Sequence, residues 1–384
     1  MFSKLLRNKS SLLKKIIVLL LVALFILVVF LFNKGERIQL LNQEGTEYEK
    51  AVVENVLKDN VEKDGSRAGN QIVSVRILTG NKKGQVFDAT SPSGYLYGAN
   101  CTENMKIIVS ISTSGNSSVV SVYNYDREPI IYGLVALFIL MLWVVGGKRG
   151  FKSAISLIFT FVCIIFLFIP MLYKGYSPFL SAVIITILIT IVSIYLVGGL
   201  TIKAISAILG TIIGVIISGG VAVAFGHFAN ISSFNVSQIE ELVFISNNTN
   251  LKISGLLFAA VLISSLGAVM DVSISIASTI NEIYISNPNL TKKELFSSGI
   301  NVGRDIIGAM SNTLILAYTG GAINTMIFIY SYNMKYNQIV NMYSIGIDIM
   351  QALSGSISIV LTVPLVSAIT SSMLTNKSLK SIDG

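Results

Sequence analysis

The sequence predicts a polytopic α-helical membrane protein of about eight transmembrane helices, with a small β-rich extracytoplasmic domain between helices 1 and 2. Three observations predict it. Hydrophobic residues make up 53% of the 384 and charged residues only 12%, against roughly 25% charge in a soluble domain. The apolar residues come in continuous runs that cover a bilayer core as helix, without the period-two pattern of an outer-membrane barrel. One interval, 33–128, breaks this habit: its apolar and polar residues alternate between clusters of turn-forming residues.

Residues 1–15 form a basic N-terminus, with Lys4, Arg7, Lys9, Lys14 and Lys15, and residues 16–32 (IIVLLLVALFILVVFLF) are uninterruptedly apolar. A basic flank before an apolar core is the pattern of a signal sequence. The chain continues NKGERIQ, without a small-x-small cleavage site, so this segment is expected to be an uncleaved signal anchor with its N-terminus in the cytoplasm. In 33–128 the runs QIVSVRIL, GQVFDA and MKIIVSIS alternate, separated by TGNKKG, SPSG and SGNSS. These are strand and turn signals. An oligonucleotide/oligosaccharide-type barrel or a small sandwich fits the length. The segment YEKAVVENVLKDN reads equally as a strand or a short helix.

Residues 129–376 are expected to hold a seven-helix membrane bundle, with spans at 130–147, 153–173, 179–199, 204–226, 253–280, 305–330 and 353–375, before a cytoplasmic tail at 377–384. The loop charges agree with that alternation. Lys148, Arg149, Lys152, Lys203, Lys292, Lys293, Arg304, Lys377 and Lys380 fall on the expected inner side, and only Lys174, Lys252 and Lys335 in short outer loops. This asymmetry predicts both termini in the cytoplasm. The stretch 337–352 either extends the last span or forms a separate surface helix, and only in the first case is Asp348 intramembrane. Pro364 within the last span leaves a carbonyl free, which membrane helices tolerate.

Several function classes drop out. The net charge of +8 sits mostly beside spans, and no basic stripe with interleaved aromatics points to nucleic acid. Cys101 and Cys163 fall in different environments, so a disulfide between them is not expected. No HExxH, Cys/His cluster, GxxxxGK[ST] or GxSxG occurs, and His227 is the sole histidine. No catalytic residue, metal or cofactor is therefore expected. A facing carboxylate pair, Asp271 with Asp305, is the one enzymatic arrangement left, and about two helical turns of depth are expected to separate them.

What stands out is an aspartate inside an apolar span. An ionised Asp near a bilayer centre costs about 2.5–3.5 kcal/mol on insertion scales. Ser264, Gly267, Asp271, Ser275, Ser278 and Glu282 follow steps of three and four, so they share one narrow helical stripe. Asn301, Asp305, Gly308, Asn312 and Thr319 form a second stripe on the next span, with Arg304 at its margin. Two readings stay open. The first stripe is a tight helix seam that shelters Asp271, or it is a proton, ion or solute site, and the two can hold together. A sharper expectation is that Arg304 or Asn312 partners Asp271 across the pair. Close helix packing is expected at Gly210 and Gly214 (GTIIG), and at Gly267 and Gly308.

At LGAVMDVSISIAS and NEIYISNPNLTKKELFSSGINVGRDIIGAMSNTLILAYTGG the chain resembles the YibE/F family of bacterial multi-pass membrane proteins. AILGTIIGV and GSISIVLTVPL continue the likeness, which runs from about Tyr132 to Leu374 and is loose over the β-rich interval. The resemblance implies a bacterial cytoplasmic-membrane protein and implies no particular activity. The family's characteristic residues map to Gly267, Asp271, Ser278, Glu282, Asn287, Pro288, Gly299, Arg304, Asp305, Asn312 and Tyr318. Gln351 stands where other members tend to carry a charged, basic residue.

Two functions follow as expectations. The first is transport or permeation of an ion or small solute, with Asp271 as the coordinating carboxylate, Asn312, Arg304 and Asp305 nearby, and Glu282 at the cytoplasmic mouth. The second is a non-transporting scaffold or sensor whose domain at 33–128 binds an envelope partner. The lipid bilayer is a partner in either, and close glycine faces leave a homo-oligomer open.

Overall fold

The computed structural model describes residues 20, 22–34, 40, 45–62, 67–92, 94, 96–114 and 117–376. The basic N-terminus, the start of the expected anchor and the tail at 377–384 lie outside the described residues. The chain divides into two compact units, one formed by 39–141 and the other by 1–38 together with 142–384.

The first unit holds the barrel. Strands β1 (Thr46–Lys58), β2 (Gln71–Ile77), β3 (Val86–Ser91), β4 (Lys106–Ser114) and β5 (Ser117–Tyr125) close in the order β1-β2-β3-β5-β4. All neighbours are antiparallel except β3 and β5, which close the barrel in parallel at Ala89 and Val120. This decides the barrel over the sandwich. The ambiguous YEKAVVENVLKDN is the long strand β1. It pairs with β4 along its first half and with β2 along its second, and irregularities after Val53 and Val56 let it bend between them. Alternation delivers the core: Ala51, Val53, Val73, Val75, Ile77, Ile107, Val109, Ile111, Val120 and Val122 are buried.

Among its described residues the connection from β3 to β4 contains no helix. Two buried side chains pin it instead. Gln71 donates to the Cys101 carbonyl (3.0 Å) and accepts from the Cys101 N–H (2.9 Å). Ser91 Oγ donates to the Ala99 carbonyl (2.7 Å) and accepts from the Ala99 N–H (3.0 Å). Cys101 is thereby held at 2% exposure, and burial pushes its thiol above the usual cysteine range. At the exit from β5, Lys50 of β1 pairs with Asp126 (3.7 Å) and Glu128.

The second unit is helical and apolar. Its elements are α1 (Val22–Asn33), the latter part of α2 (Glu128–Cys163), a π turn (Ile164–Phe168), α3 (Ile169–Tyr173), α4 (Pro178–Gly198), α5 (Ile202–Phe228), α6 (Ile239–Asn248), α7 (Leu256–Ser286), α8 (Lys292–Gly321), α9 (Ile323–Ser331), α10 (Tyr336–Val340) and α11 (Tyr343–Thr375). Among the described residues five apolar stretches are long enough to cross a membrane, at 128–173, 178–198, 202–228, 256–286 and 343–375. α8 and α9, bent by 58°, make a sixth if taken as one span.

The described residues do not reach the expected eight, and three segments bear comparison with the expectation. The expected spans 130–147 and 153–173 fall in one helical stretch of 46 residues. That stretch is broken at Gly147 (φ 53°, ψ −136°), a conformation that favours glycine. Gly150 lies so close to the Leu142 carbonyl that a Cβ would overlap it, although a straight helix separates residues eight apart by about 12 Å. The chain doubles back there. The expected anchor is described only as the 12-residue α1, shorter than a span. Phe25 of α1 packs on Phe159, and Asn33 donates to the Phe166 carbonyl (2.7 Å). Finally, α11 begins at Tyr343, so most of 337–352 extends the last helix, after the short α10.

α5, α7 and α11 pack against one another at the centre, with α4 and α8 against α7. Gly210 meets Val366, and Gly214 meets Thr362 and Val269, so closely that a Cβ at either would overlap its neighbour. The Gly214 carbonyl accepts from Ser358 Oγ (2.5 Å). Gly299 and Gly303 of α8 sit equally close to Ser367 and Val363 of α11. Gly267 and Gly308 have nothing within contact distance of a Cβ, so the packing role expected of them is corrected: both face open space.

Substituting Gly214→Leu drives a branched side chain into Thr362 and Val269, and overpacking of this kind costs about 1–3 kcal/mol. The variant is expected to melt several degrees lower in detergent, whereas Gly308→Ala melts with the wild type. Paired thermal-unfolding curves check both.

Candidate functional site: an intramembrane cleft at Asp271

α7 sorts its residues by what they can bury. Val269, Val272, Ile276, Ala277 and Ile280 are fully buried toward the other helices. Ser265 and Ser273 join them because their hydroxyls bond the Leu262 (3.1 Å) and Val269 (2.8 Å) carbonyls of the same helix. Asp271 has no such local partner, and it lies on the other face. Ser264 and Gly267 share that face with it, as exposed positions.

This face is not a seam. It looks into a cleft of about 560 Å³ between α7, α4 and the second arm of α2, the part after Gly147. Ser153, Ser156 and Thr160 come from α2, Ser193 from α4, and Ser264, Gly267 and Asp271 from α7, among aliphatic residues. Asp271 makes no hydrogen bond or ion pair among the described residues. Ser193 is 3% exposed, and its Oγ has no hydrogen-bond partner.

A second cavity, of about 240 Å³, adjoins the first, and Val197 and Ile274 line both. Its walls include Ser278, one and a half to two turns along α7 from the aspartate, with Arg149 and Lys203. Neither cation has an ion pair among the described residues. The two cavities thus run end to end along α7, the first acidic and the second basic.

The second stripe behaves differently. α8 turns Leu295, Gly299 and Gly303 inward, and leaves Asn301, Arg304, Asp305, Gly308, Asn312 and Thr319 on its exposed face. None of these lines the cleft. The expected pairing of Asp271 with Arg304 or Asn312 is therefore corrected: no hydrogen bond or ion pair joins them among the described residues. Asp305 lines neither cavity. Ser275 is half-buried on α7 outside the cleft lining, and Glu282 is exposed near the end of α7 and lines neither cavity.

Four hydroxyl residues of the cleft escaped the sequence reading. Ser153, Ser156 and Thr160 follow helical steps of three and four, a legible signal. Ser193 follows Thr186 and Thr190 at steps of four and three, so it carried the same signal. Among the described residues no group of three His, Cys, Asp or Glu is placed to hold a metal.

If water fills the cleft, a cysteine there will react with a small charged thiol reagent. In a background of Cys101→Ser and Cys163→Ala, Ser264→Cys is expected to label readily and its buried neighbour Ser265→Cys to stay unlabelled. Mass spectrometry of the labelled protein checks the contrast.

The chain matches the family model of YibE/F-like proteins over residues 134–376. The match takes in almost all of α2 and every element after it, including the whole lining of both cavities, and leaves out the barrel. No curated protein and no solved structure matches the chain. With well over half of its length matched, the chain belongs to the YibE/F-like family.

Proposed function

We propose that this membrane protein moves an ion or small solute across the bilayer, with the cleft at Asp271 as the site through which the solute passes. One observation carries the reading. An aspartate with no protein partner opens into a hydroxyl-lined space inside an otherwise apolar bundle. Intramembrane carboxylates mark ion and proton paths far more often than they serve packing alone. The adjoining cavity at Arg149 and Lys203 supports an access route from one end.

The proposed topology has eight crossings: α1 with the apolar residues before it, the two arms of α2, α4, α5, α7, the bent α8–α9 pair and α11. An even number puts both termini on one side and the barrel on the other. The positive-inside bias of the short loops assigns the terminal side to the cytoplasm of a bacterial cell. In this arrangement Arg149, Lys203, Lys292 and Lys293 line the cytoplasmic end, so the basic cavity is the inner mouth.

Flux of protons, cations or small solutes into proteoliposomes tests the proposal. Asp271→Asn is expected to reduce flux by about tenfold or more, the scale of losing one charge-assisted interaction at a transport site. A folded Asp271→Asn protein with unchanged flux would overturn it.

The barrel favours a second reading. Tyr48, Tyr97 and Tyr123 are 50%, 60% and 42% exposed, and their rings cluster with centroids 5.1 and 6.1 Å apart. Exposed aromatic clusters with hydroxyl tips suit recognition of a partner. In this reading the barrel binds an envelope component and the bundle anchors or relays it. A chain lacking residues 40–125 separates the two. Transport predicts that flux survives in the truncated protein, and the sensor reading predicts loss of complementation in a knockout strain.

A further inference from the structure

The chemistry of the cleft lining narrows what it can hold. Three of its hydroxyls have already spent their protons. Ser153 Oγ donates to the Arg149 carbonyl (3.1 Å), Thr160 Oγ1 to the Ser156 carbonyl (3.0 Å) and Ser264 Oγ to the Val261 carbonyl (3.1 Å), each within its own helix. What these residues turn to the cleft is therefore lone pairs. Asp271, when ionised, offers only acceptors as well. No Lys, Arg or His lines the space, because Arg149 and Lys203 belong to the adjoining cavity. Only Ser156 and Ser193 keep a hydroxyl proton to give, so acceptors outnumber donors in the lining, which suits a positively charged ligand better than an anion.

Ser193 supplies an independent sign that a ligand belongs there. It is 3% exposed, the residue lines the cleft, and its Oγ has no partner. Buried hydroxyls are normally satisfied, and of the eight buried side-chain atoms without a partner among the described residues, Ser193 is the one whose residue lines this cleft. The charge count sets the valence. One carboxylate balances one positive charge, whereas divalent sites draw on several carboxylates, and no group of three acidic, His or Cys side chains occurs among the described residues. The volume of about 560 Å³ exceeds what one bare ion needs. It suits an ion that keeps part of its hydration shell, or a small protonated amine.

We propose that the cleft binds a monovalent cation, held by the Asp271 carboxylate and by the hydroxyl oxygens of Ser193, Ser264 and Thr160. This rests on the cleft being the transport site and names the class of ligand it takes. Arg149 and Lys203 then form a barrier at one end that a cation passes only when drawn on by the carboxylate behind it.

The test uses the full-length protein in lipid nanodiscs, melted in sodium, potassium or methylammonium chloride against N-methylglucamine chloride at constant ionic strength. Sodium phosphate and sodium sulfate serve as the anion arms. At least one small cation is expected to raise the melting temperature saturably by several degrees, and the three chlorides distinguish an alkali ion from an amine. Asp271→Asn is expected to abolish the shift. Ser193→Ala is expected to raise the half-saturating concentration by about tenfold, the usual scale for a hydrogen-bond-type contact to a charge. Thr313→Ala, on the exposed face of α8, leaves the response unchanged. Should Asp271→Asn fail to fold, Ser193→Ala and Ser264→Ala decide alone, because each must weaken the response. A shift that follows the anion, or a cation response identical in all the cleft variants, overturns the proposal. Flux in proteoliposomes separates this from the transport reading. Flux that persists when N-methylglucamine replaces every small cation overturns the cation while leaving permeation, and cation binding without any flux overturns transport while leaving the site.

Discussion

Close approach of α5, α7 and α11 is the constraint on which the rest of the bundle depends. Lipid chains are as apolar as leucine, so helices in a bilayer gain little by burying apolar surface against each other and must gain by fitting. Gly210 and Gly214 let Val366, Thr362 and Val269 settle directly on the α5 backbone. Ser358 turns that proximity into a hydrogen bond with the Gly214 carbonyl. α8 docks on α11 through the same device at Gly299 and Gly303.

That packing decides which face of α7 is left over. A helix in three- or four-way contact buries whatever fits closely and needs no outside partner. Aliphatic residues qualify, and so do serines that bond a carbonyl one turn back, as Ser265 and Ser273 do. A carboxylate cannot satisfy itself this way, because it has no proton to give to a carbonyl. Asp271 is thus excluded from the centre by its chemistry, and it appears on the face that α4 and the second arm of α2 cover only loosely.

This accounts for how much was legible in the sequence. The membrane class, the barrel strands from QIVSVRIL to MKIIVSIS and the glycine contacts of GTIIG all follow from local patterns, and the structure places them accordingly. Asp271 stood out on a local fact, a lone acid in an apolar run, and it lines the cleft. What misled was the step from pattern to partner. Stripes on α7 and α8 look complementary when set side by side, yet consecutive helices need not meet through their polar faces. The true wall of the cleft comes from α2, more than a hundred residues earlier in the chain. Nothing in the spacing of one helix tells which distant helix will stand opposite. Gly147 was likewise readable only as a gap between two apolar runs, because a φ of 53° leaves no mark in composition.

Gly147 carries a further weight, best seen as parity. In a chain that alternates across a bilayer, each reversal flips the side on which every later segment emerges. Between Glu128 and Tyr173 there are 46 residues, about 69 Å if straight, more than twice a hydrocarbon core. In the proposed topology the corner at Gly147 makes the stretch cross twice. Straightened, it would cross once, and α4 through α11 would all be inverted as a block. The basic residues of the later loops would then change sides together, against the charge bias that orients such chains. In the proposed topology one residue without a side chain thus sets the side from which Asp271 is reached.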